Sequence, residues 1–194
     1  SGTICIEAAL HVCQMPPFFY RKEKFQFNRL GFLGINPKEI MEKIDKEIKV
    51  SEKKDKIVGY DNVLACVKSA QKNAKVAGVS KSIYFARADV DWLDTKFDEK
   101  SVDLIITKPP IDSNKVDMKK IEKIYDELFY QADYILKEKG SIVLIASKKD
   151  LILSVLKKYN FSLASEKVFY QGKMPLFVLK LNRKSKILNR DLVK

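Results

Sequence analysis

IVGYDNVLACVKSAQKNAKVAGV, residues 57–79, carries the change of period on which the fold turns. Residues 56–60 read as a short strand, and Asp61-Asn62 then opens a helix. Leu64, Val67, Ala70, Ala74 and Ala77 recur at helical spacing and define one face of it. Gly78 supplies the left-handed stop at its end. A strand that hands over to a helix through an acidic turn is the repeating unit of an α/β sheet.

The same alternation extends in both directions. Upstream, residues 3–13 predict a helix with Ile4, Ala8 and His11 at helical spacing, ending before Pro16-Pro17. Asn36-Pro37-Lys38-Glu39 is a second helix start: Asn caps, Pro fits the first turn and Glu39 can close a capping box. That helix runs to about residue 49 and meets a polar link at 51–55. Downstream, residues 82–86 and 104–107 predict strands, 118–137 a long amphipathic helix ending near Gly140, 141–146 a strand and 151–159 a helix. Strands at 161–170 and 174–181, joined across Gln171-Gly172, predict an antiparallel hairpin. The expectation is one domain over residues 1–182, a mostly parallel α/β sheet with one reversed strand, and a basic tail at 183–194.

Composition narrows the function. The 194 residues, 46% apolar and 32% charged, suit a single core with a charged surface. No run of 18 apolar residues occurs, which argues against a membrane partner. The start shows neither a basic n-region nor a small-residue cleavage site, so a cytoplasmic location is expected. Cys5, Cys13 and Cys66 have no CxxC spacing and read as core thiols. With His11 the sole histidine, zinc sites and histidine-based triads have almost no ligands to draw on, and no metal is expected. The net charge of +12 suits a polyanion such as nucleic acid, or equally a solvated lysine-rich face.

Ligands of open α/β sheets lie beyond the carboxyl ends of the strands. Four turns are candidates. Ser1-Gly2-Thr3 opens a helix whose N-terminus favours an anion. Asp61 can accept from both hydroxyls of a ribose or can merely cap the next helix, a task open to Asn62 as well. In ARADVDWLD, residues 86–94, a carboxylate can accept from an adenine amine, and Trp92 reads as packing or as cover. The fourth turn is Thr107-Lys108-Pro109-Pro110, closing the buried-strand pattern VDLIITKPPID at 102–112. Proline has no N–H, so this corner offers carbonyl acceptors, suited to an exocyclic amine.

Taken in order, these turns resemble the THUMP-associated RNA methyltransferases, which include the tRNA and 23S rRNA guanine-N2 methyltransferases. SGTICIEAAL resembles the end of the family's first motif, D-P-x-C-G-S-G-T followed by I-E-A-A. MPPFFYRKEKFQF resembles its proline-then-basic-aromatic segment, and the 57–79 stretch its second-strand acid and A-x-x-N-A-x-x-A-G helix. ARADVDWLD resembles the adenine-side loop, VDLIITKPP stands at the N-P-P-Y position, and YQGKMPLFVLKL resembles the closing hairpin.

The resemblance implies a Rossmann-like class I methyltransferase fold with S-adenosyl-L-methionine as cofactor and RNA as partner, and guanine-N2 methylation of tRNA as the activity. It implies that Ser1, Gly2 and Thr3 border the methionine end, that Asp61 with Asn62 takes the ribose, and that Asp89 with the Val90 backbone takes the adenine. Thr107, Lys108, Pro109 and Pro110 would hold the target amine, and Arg21, Lys22, Lys24 and Arg29 would grip phosphates or form a solvated loop.

Two departures from the family pattern shape the expectations. The first strand and its D-P-x-C-G do not precede Ser1, so a longer protein or a separate polypeptide is expected to supply that strand, and with it a THUMP domain. Lys108 stands where the family has Asn or Asp, and Ile111 where it has an aromatic. A protonated lysine has donors only, which opens the alternative of a catalytically impaired RNA-binding module or heteromer subunit.

Overall fold

The computed structural model describes residues 1–16, 19, 22–29, 34, 36–47, 56–109 and 118–184. The chain divides into two compact units, Ser1–Ala88 and Asp89–Lys194.

The first unit contains α1 (Thr3–Val12), α2 (Pro37–Glu47), β1 (Ile57–Asp61), α3 (Leu64–Val76) and β2 (Ile83–Arg87). β1 and β2 form a two-stranded parallel sheet in which Ile57 faces Ile83 and Asp61 faces Arg87. Ile6, Ala9 and Leu10 of α1 pack with Ala74, Val79 and Ile83 into its core. The glycine stop works as expected. Gly78 has φ 75° and donates to the Lys75 carbonyl at 3.1 Å, and Val79 donates to Ala74 at 3.0 Å. Asn36 caps α2 by accepting from Lys38 N–H at 3.1 Å, and its amide donates to the Glu39 carboxylate at 3.0 Å.

The second unit contains β3 (Val102–Thr107), α4 (Met118–Ile135), β4 (Leu136–Ala146), α5 (Lys149–Leu156), β5 (Phe161–Gln171) and β6 (Met174–Arg183). Its sheet has the order β3-β4-β6-β5, with β3 parallel to β4 and β6 antiparallel to both its neighbours. β6 is therefore the one reversed strand, and the hairpin expected at Gln171-Gly172 forms. Ile142, Leu144, Leu179, Leu181 and Phe161 point into a core shared with Ile121, Leu128, Phe129 and Ala132 of α4 and Ile152 and Val155 of α5.

The sheet differs from the expectation at two places. β4 begins at Leu136, directly after α4, because Leu136 is fully buried and pairs with Val102 across a register shift. β6 extends through Arg183, assigned to the tail from sequence. Its side chain is only 9% exposed, paired with Asp133 and donating to the Leu136 carbonyl at 3.0 Å. Residues 185–194 of that tail lie outside the described residues.

Among the described residues β3 is the outer strand of its sheet, with Leu104 50% and Ile106 39% exposed, and β1 has a single neighbour. No helix among the described residues is long and apolar enough to cross a membrane.

Candidate functional site

The first candidate surface is the carboxyl end of β1 with the turn before α1, both in the first unit. Gly2 is the residue before α1 and sits at φ 74°, in the left-handed region. A Cβ there would lie 2.7 Å from Ala70 Cβ and 3.1 Å from Phe85 Cζ, so both dihedral and space require glycine. Its carbonyl accepts the first helical hydrogen bond, from Ile6 N–H at 3.0 Å. The N–H groups of the first turn have no partner inside the helix, and no acidic side chain stands in that turn. Thr3 Oγ1 lies 3.2 Å from Ser1 Oγ, and Asn73 Nδ2 of α3 donates to the Ser1 carbonyl at 2.9 Å. Asn73 is a residue to which sequence reasoning gave no role. Its signal is a helix-disfavouring amide in mid-helix.

Asp61 ends β1 with an exposed carboxylate. One oxygen accepts from Val63 N–H at 2.9 Å, and the other has no hydrogen bond among the described residues. The turn bond open to either residue thus falls to Asp61. Asn62 contributes its carbonyl, which accepts from Arg87 Nε at 3.0 Å. Cys5, beside Gly59, has its thiol pushed up by burial, and Cys13 is fully buried, as suits core thiols.

Within the second unit, Asp89 begins a 3-10 turn at Val90–Trp92 and accepts from Val90 N–H at 2.7 Å. That N–H, expected to meet adenine, is thus held by the neighbouring carboxylate. Trp92 is 61% exposed, which removes the reading of it as core packing. Gln131 of α4 bonds to both Asp91 and Asp94 of this loop. Sequence reasoning missed it, although a glutamine on the apolar stripe of α4 is itself a signal.

In the same unit, Thr107 ends β3 opposite Leu144, Lys108 is exposed and Pro109 is buried. No described residue donates to the Pro109 carbonyl, and Lys108 has no ion pair among the described residues. Pro110 and Ile111 lie outside the described residues.

Of the four basic residues expected at phosphates, Arg21 also lies outside them. Lys22 is ion-paired with Asp45 and stands 4.6 Å from the Phe19 ring centroid. Lys24 and Arg29 are exposed in two short 3-10 turns, Lys22–Lys24 and Gln26–Arg29. No cluster of His, Cys, Asp and Glu suited to a metal occurs among the described residues.

Residues 1–175 match the UPF0020 family, described as the RMKL-like methyltransferase domain. The chain is 33% identical over 175 residues to the tRNA (guanine(6)-N2)-methyltransferase of Methanocaldococcus jannaschii, covering 90% of this chain and 45% of that protein. It is 31% identical over 132 residues to the ribosomal RNA large subunit methyltransferase K/L of Buchnera aphidicola, covering 66% and 19%. The chain therefore spans less than half the length of these curated relatives. The crystal structure of SMU.472 complexed with SAH superposes with a TM-score of 0.77 at 18% identity, over 96% of this chain and 46% of that one, which shows a shared fold.

Proposed function

The chain belongs to the RMKL-like methyltransferase domain family, UPF0020, and from that membership we propose that it is the catalytic domain of an RNA methyltransferase that uses S-adenosyl-L-methionine to methylate guanine N2 in tRNA. The observation that carries this reading is the relationship to a tRNA (guanine(6)-N2)-methyltransferase along 90% of the chain. Ribosomal RNA is the second substrate to test, because the other relative acts on it.

Each candidate group, taken within its own unit, suits one part of the cofactor. The unshared oxygen of Asp61 is an anionic acceptor at the carboxyl end of a parallel strand, suited to a ribose diol. The N–H groups of the first turn of α1 suit a carboxylate. Asp89 keeps a second oxygen for the adenine amine. When bound, the cofactor supplies the methyl group.

The chain's own task is to orient the target amine. The Pro109 carbonyl accepts one amine hydrogen and so aims the nitrogen lone pair, which is catalysis by positioning. Lys108 carries donors only and its side chain is exposed. It therefore takes no part as acceptor and faces the RNA, where it binds phosphate; within the first unit Lys24 and Arg29 are the exposed residues suited to the same task. The complete protein acts in the cytoplasm.

The test is methyl transfer from labelled cofactor to unmodified tRNA by the complete protein. Absence of transfer to tRNA and rRNA, with cofactor binding intact, overturns the proposal. The donor-only Lys108 favours a second reading, an RNA-binding module that has lost catalysis. Activity gained only in Lys108→Asn would establish that reading, and a large loss in the same variant would give the lysine a catalytic role.

The open edge of β3, with Leu104 and Ile106 exposed, supports pairing with a further strand. We propose that an upstream segment or a separate polypeptide provides it, with a THUMP domain attached. Intact mass of the natural product checks this, and a natural protein that starts at Ser1 and folds alone would sink it.

A further inference from the structure

The loop after Asp89 is held by a ladder of i to i+3 turn bonds with one rung replaced. Trp92 N–H donates to Asp89 at 3.2 Å and Leu93 to Val90 at 3.4 Å. Beyond the gap, Thr95 donates to Trp92 at 3.3 Å and Lys96 to Leu93 at 3.0 Å. The missing rung is Asp94 to Asp91. Both of its groups are instead taken by the side-chain amide of Gln131: Asp94 N–H donates to Oε1 at 2.8 Å, and Nε2 donates to the Asp91 carbonyl at 3.1 Å.

The second Nε2 hydrogen goes to Glu127 Oε1 at 3.1 Å, which fixes the amide's orientation. Gln131 is 3% exposed. It stands on α4 between Leu128 and Ile135, both in the core. A buried amide with both hydrogens donated and its oxygen accepting is costly to disturb, because each lost partner leaves a desolvated group behind. The core of the second unit is thereby wired to a largely exposed loop that is anchored besides by the packing of Val90.

We propose that Gln131 is a positioning residue for the adenine end of the cofactor: by completing the turn ladder it holds the loop that carries Asp89 and Val90. This rests on the reading of Asp89 as the adenine acceptor. Without the amide, Asp91 O and Asp94 N–H must find each other or water, and the loop samples open forms. If the binding-competent form falls to one molecule in ten, the apparent Kd rises about tenfold.

Trp92, the only tryptophan of the chain, lies inside the wired segment and reports on it without any cofactor. Three variants of the full chain grade the effect. Gln131→Leu removes all three bonds, Gln131→Glu keeps the acceptor for Asp94 but loses the donor to Asp91 and repels Glu127, and Gln131→Glu with Glu127→Gln restores the contact to residue 127 with donor and acceptor exchanged. The expected result is lower Trp92 fluorescence anisotropy and about tenfold weaker S-adenosylhomocysteine binding in Gln131→Leu, with both recovering in part in the double variant. Anisotropy and binding equal to wild type in Gln131→Leu would overturn the proposal. A looser Trp92 with unchanged binding would overturn the role in cofactor positioning, and a wild-type chain that binds no S-adenosylhomocysteine would overturn the adenine-site reading on which it rests. Far-ultraviolet dichroism separates all of these from a variant that has lost its fold.

Discussion

Gly59→Ala tests the packing that sets the Asp61 turn. An added Cβ would stand 2.6 Å from Phe85 Cε1, 2.7 Å from Cδ1 and 2.9 Å from Cys5 Sγ. Ordinary carbon contacts lie at ~3.5–4.0 Å, so ring and thiol must each retreat by roughly 1 Å. The ring has little room to do so, since its Cζ also closes the space beside Gly2. Gly59 lies outside the positive-φ region, so the whole cost is steric. Overpacking of this kind costs ~1–3 kcal/mol, a large share of a typical stability of ~5–15 kcal/mol. Urea unfolding followed by far-ultraviolet dichroism measures it. If the ring is the cause, Gly59→Ala combined with Phe85→Leu loses less than the sum of the two single variants, by ~1 kcal/mol or more. Gly2→Ala is the contrast. Its left-handed backbone adds ~1–2 kcal/mol and its Cβ meets Ala70 at 2.7 Å, so shrinking Phe85 leaves most of the loss in place. Additive losses in the Gly59 and Phe85 pair, within ~0.3–0.5 kcal/mol, would refute the reasoning.

Asp61→Asn keeps the acceptor for Val63 N–H and removes the charge, so stability should hold while S-adenosylhomocysteine affinity falls ~10-fold or more, the worth of a charge-assisted bond; equal affinity by calorimetry would exclude Asp61 from the ribose site. Burial, the hydrogen-bonded Asp126, and the nearby Glu127 and Asp133 push the Tyr159 phenol up to about 12. The folded chain holds that proton more tightly than an unfolded phenol at ~10, so its contribution is full below pH ~10 and is lost as pH rises from there through about 12; Tyr159→Phe should flatten this alkaline limb in pH-dependent denaturation, and an unchanged slope would count against it. Arg183→Ala removes a buried guanidinium that pairs with Asp133, bonds the Leu136 carbonyl and stands 5.3 Å from the Phe161 ring centroid. The expected cost is ~2–4 kcal/mol, the exposed side of Asp133 being free to rehydrate; a loss under ~1 kcal/mol in urea titrations would mean that β6 does not need its last residue.

Elements with a strong period or a special residue were legible in the sequence. The middle of the α3 stripe (Val67, Ala70 and Ala74, with Leu64 left exposed), the Gly78 stop and the hairpin at Gln171-Gly172 form, because each rests on local chemistry that tertiary context did not override. The early start of β4 was not legible. LKEKG carries two lysines and a glutamate, and pairing with Val102 extends the strand there despite its polar sequence. Arg183 reads as one more basic residue of a tail, and only the carbonyls of Asp133 and Leu136 make it internal. At the candidate site the residues were nameable but their hydrogen-bond economy was not. Nothing in the sequence says that Asp61 rather than Asn62 takes Val63 N–H, or that an amide on α4 fills a gap in the loop after Asp89.

Lys108 shows why the proline corner and its side chain are separate questions. The backbone there is set by β3 pairing with β4 and by the burial of Pro109, and neither depends on what residue 108 is. On the proposed reading, lysine in an asparagine position would bring two deficits: a positive charge toward a cationic donor, and a missing acceptor. Coulomb energy falls inversely with dielectric, so a charge in water (~80) counts about a quarter of one at a protein surface (~20). The exposed Lys108 ammonium sits toward the first limit, and the charge is therefore the lesser deficit. Lys108→Met removes the charge without supplying an acceptor, and Lys108→Asn does both. If the acceptor is what the corner lacks, methyl transfer rises in Lys108→Asn and stays near wild type in Lys108→Met. Equal gains in the two variants would assign the deficit to charge and place the ammonium closer to the reacting atoms than its exposure indicates.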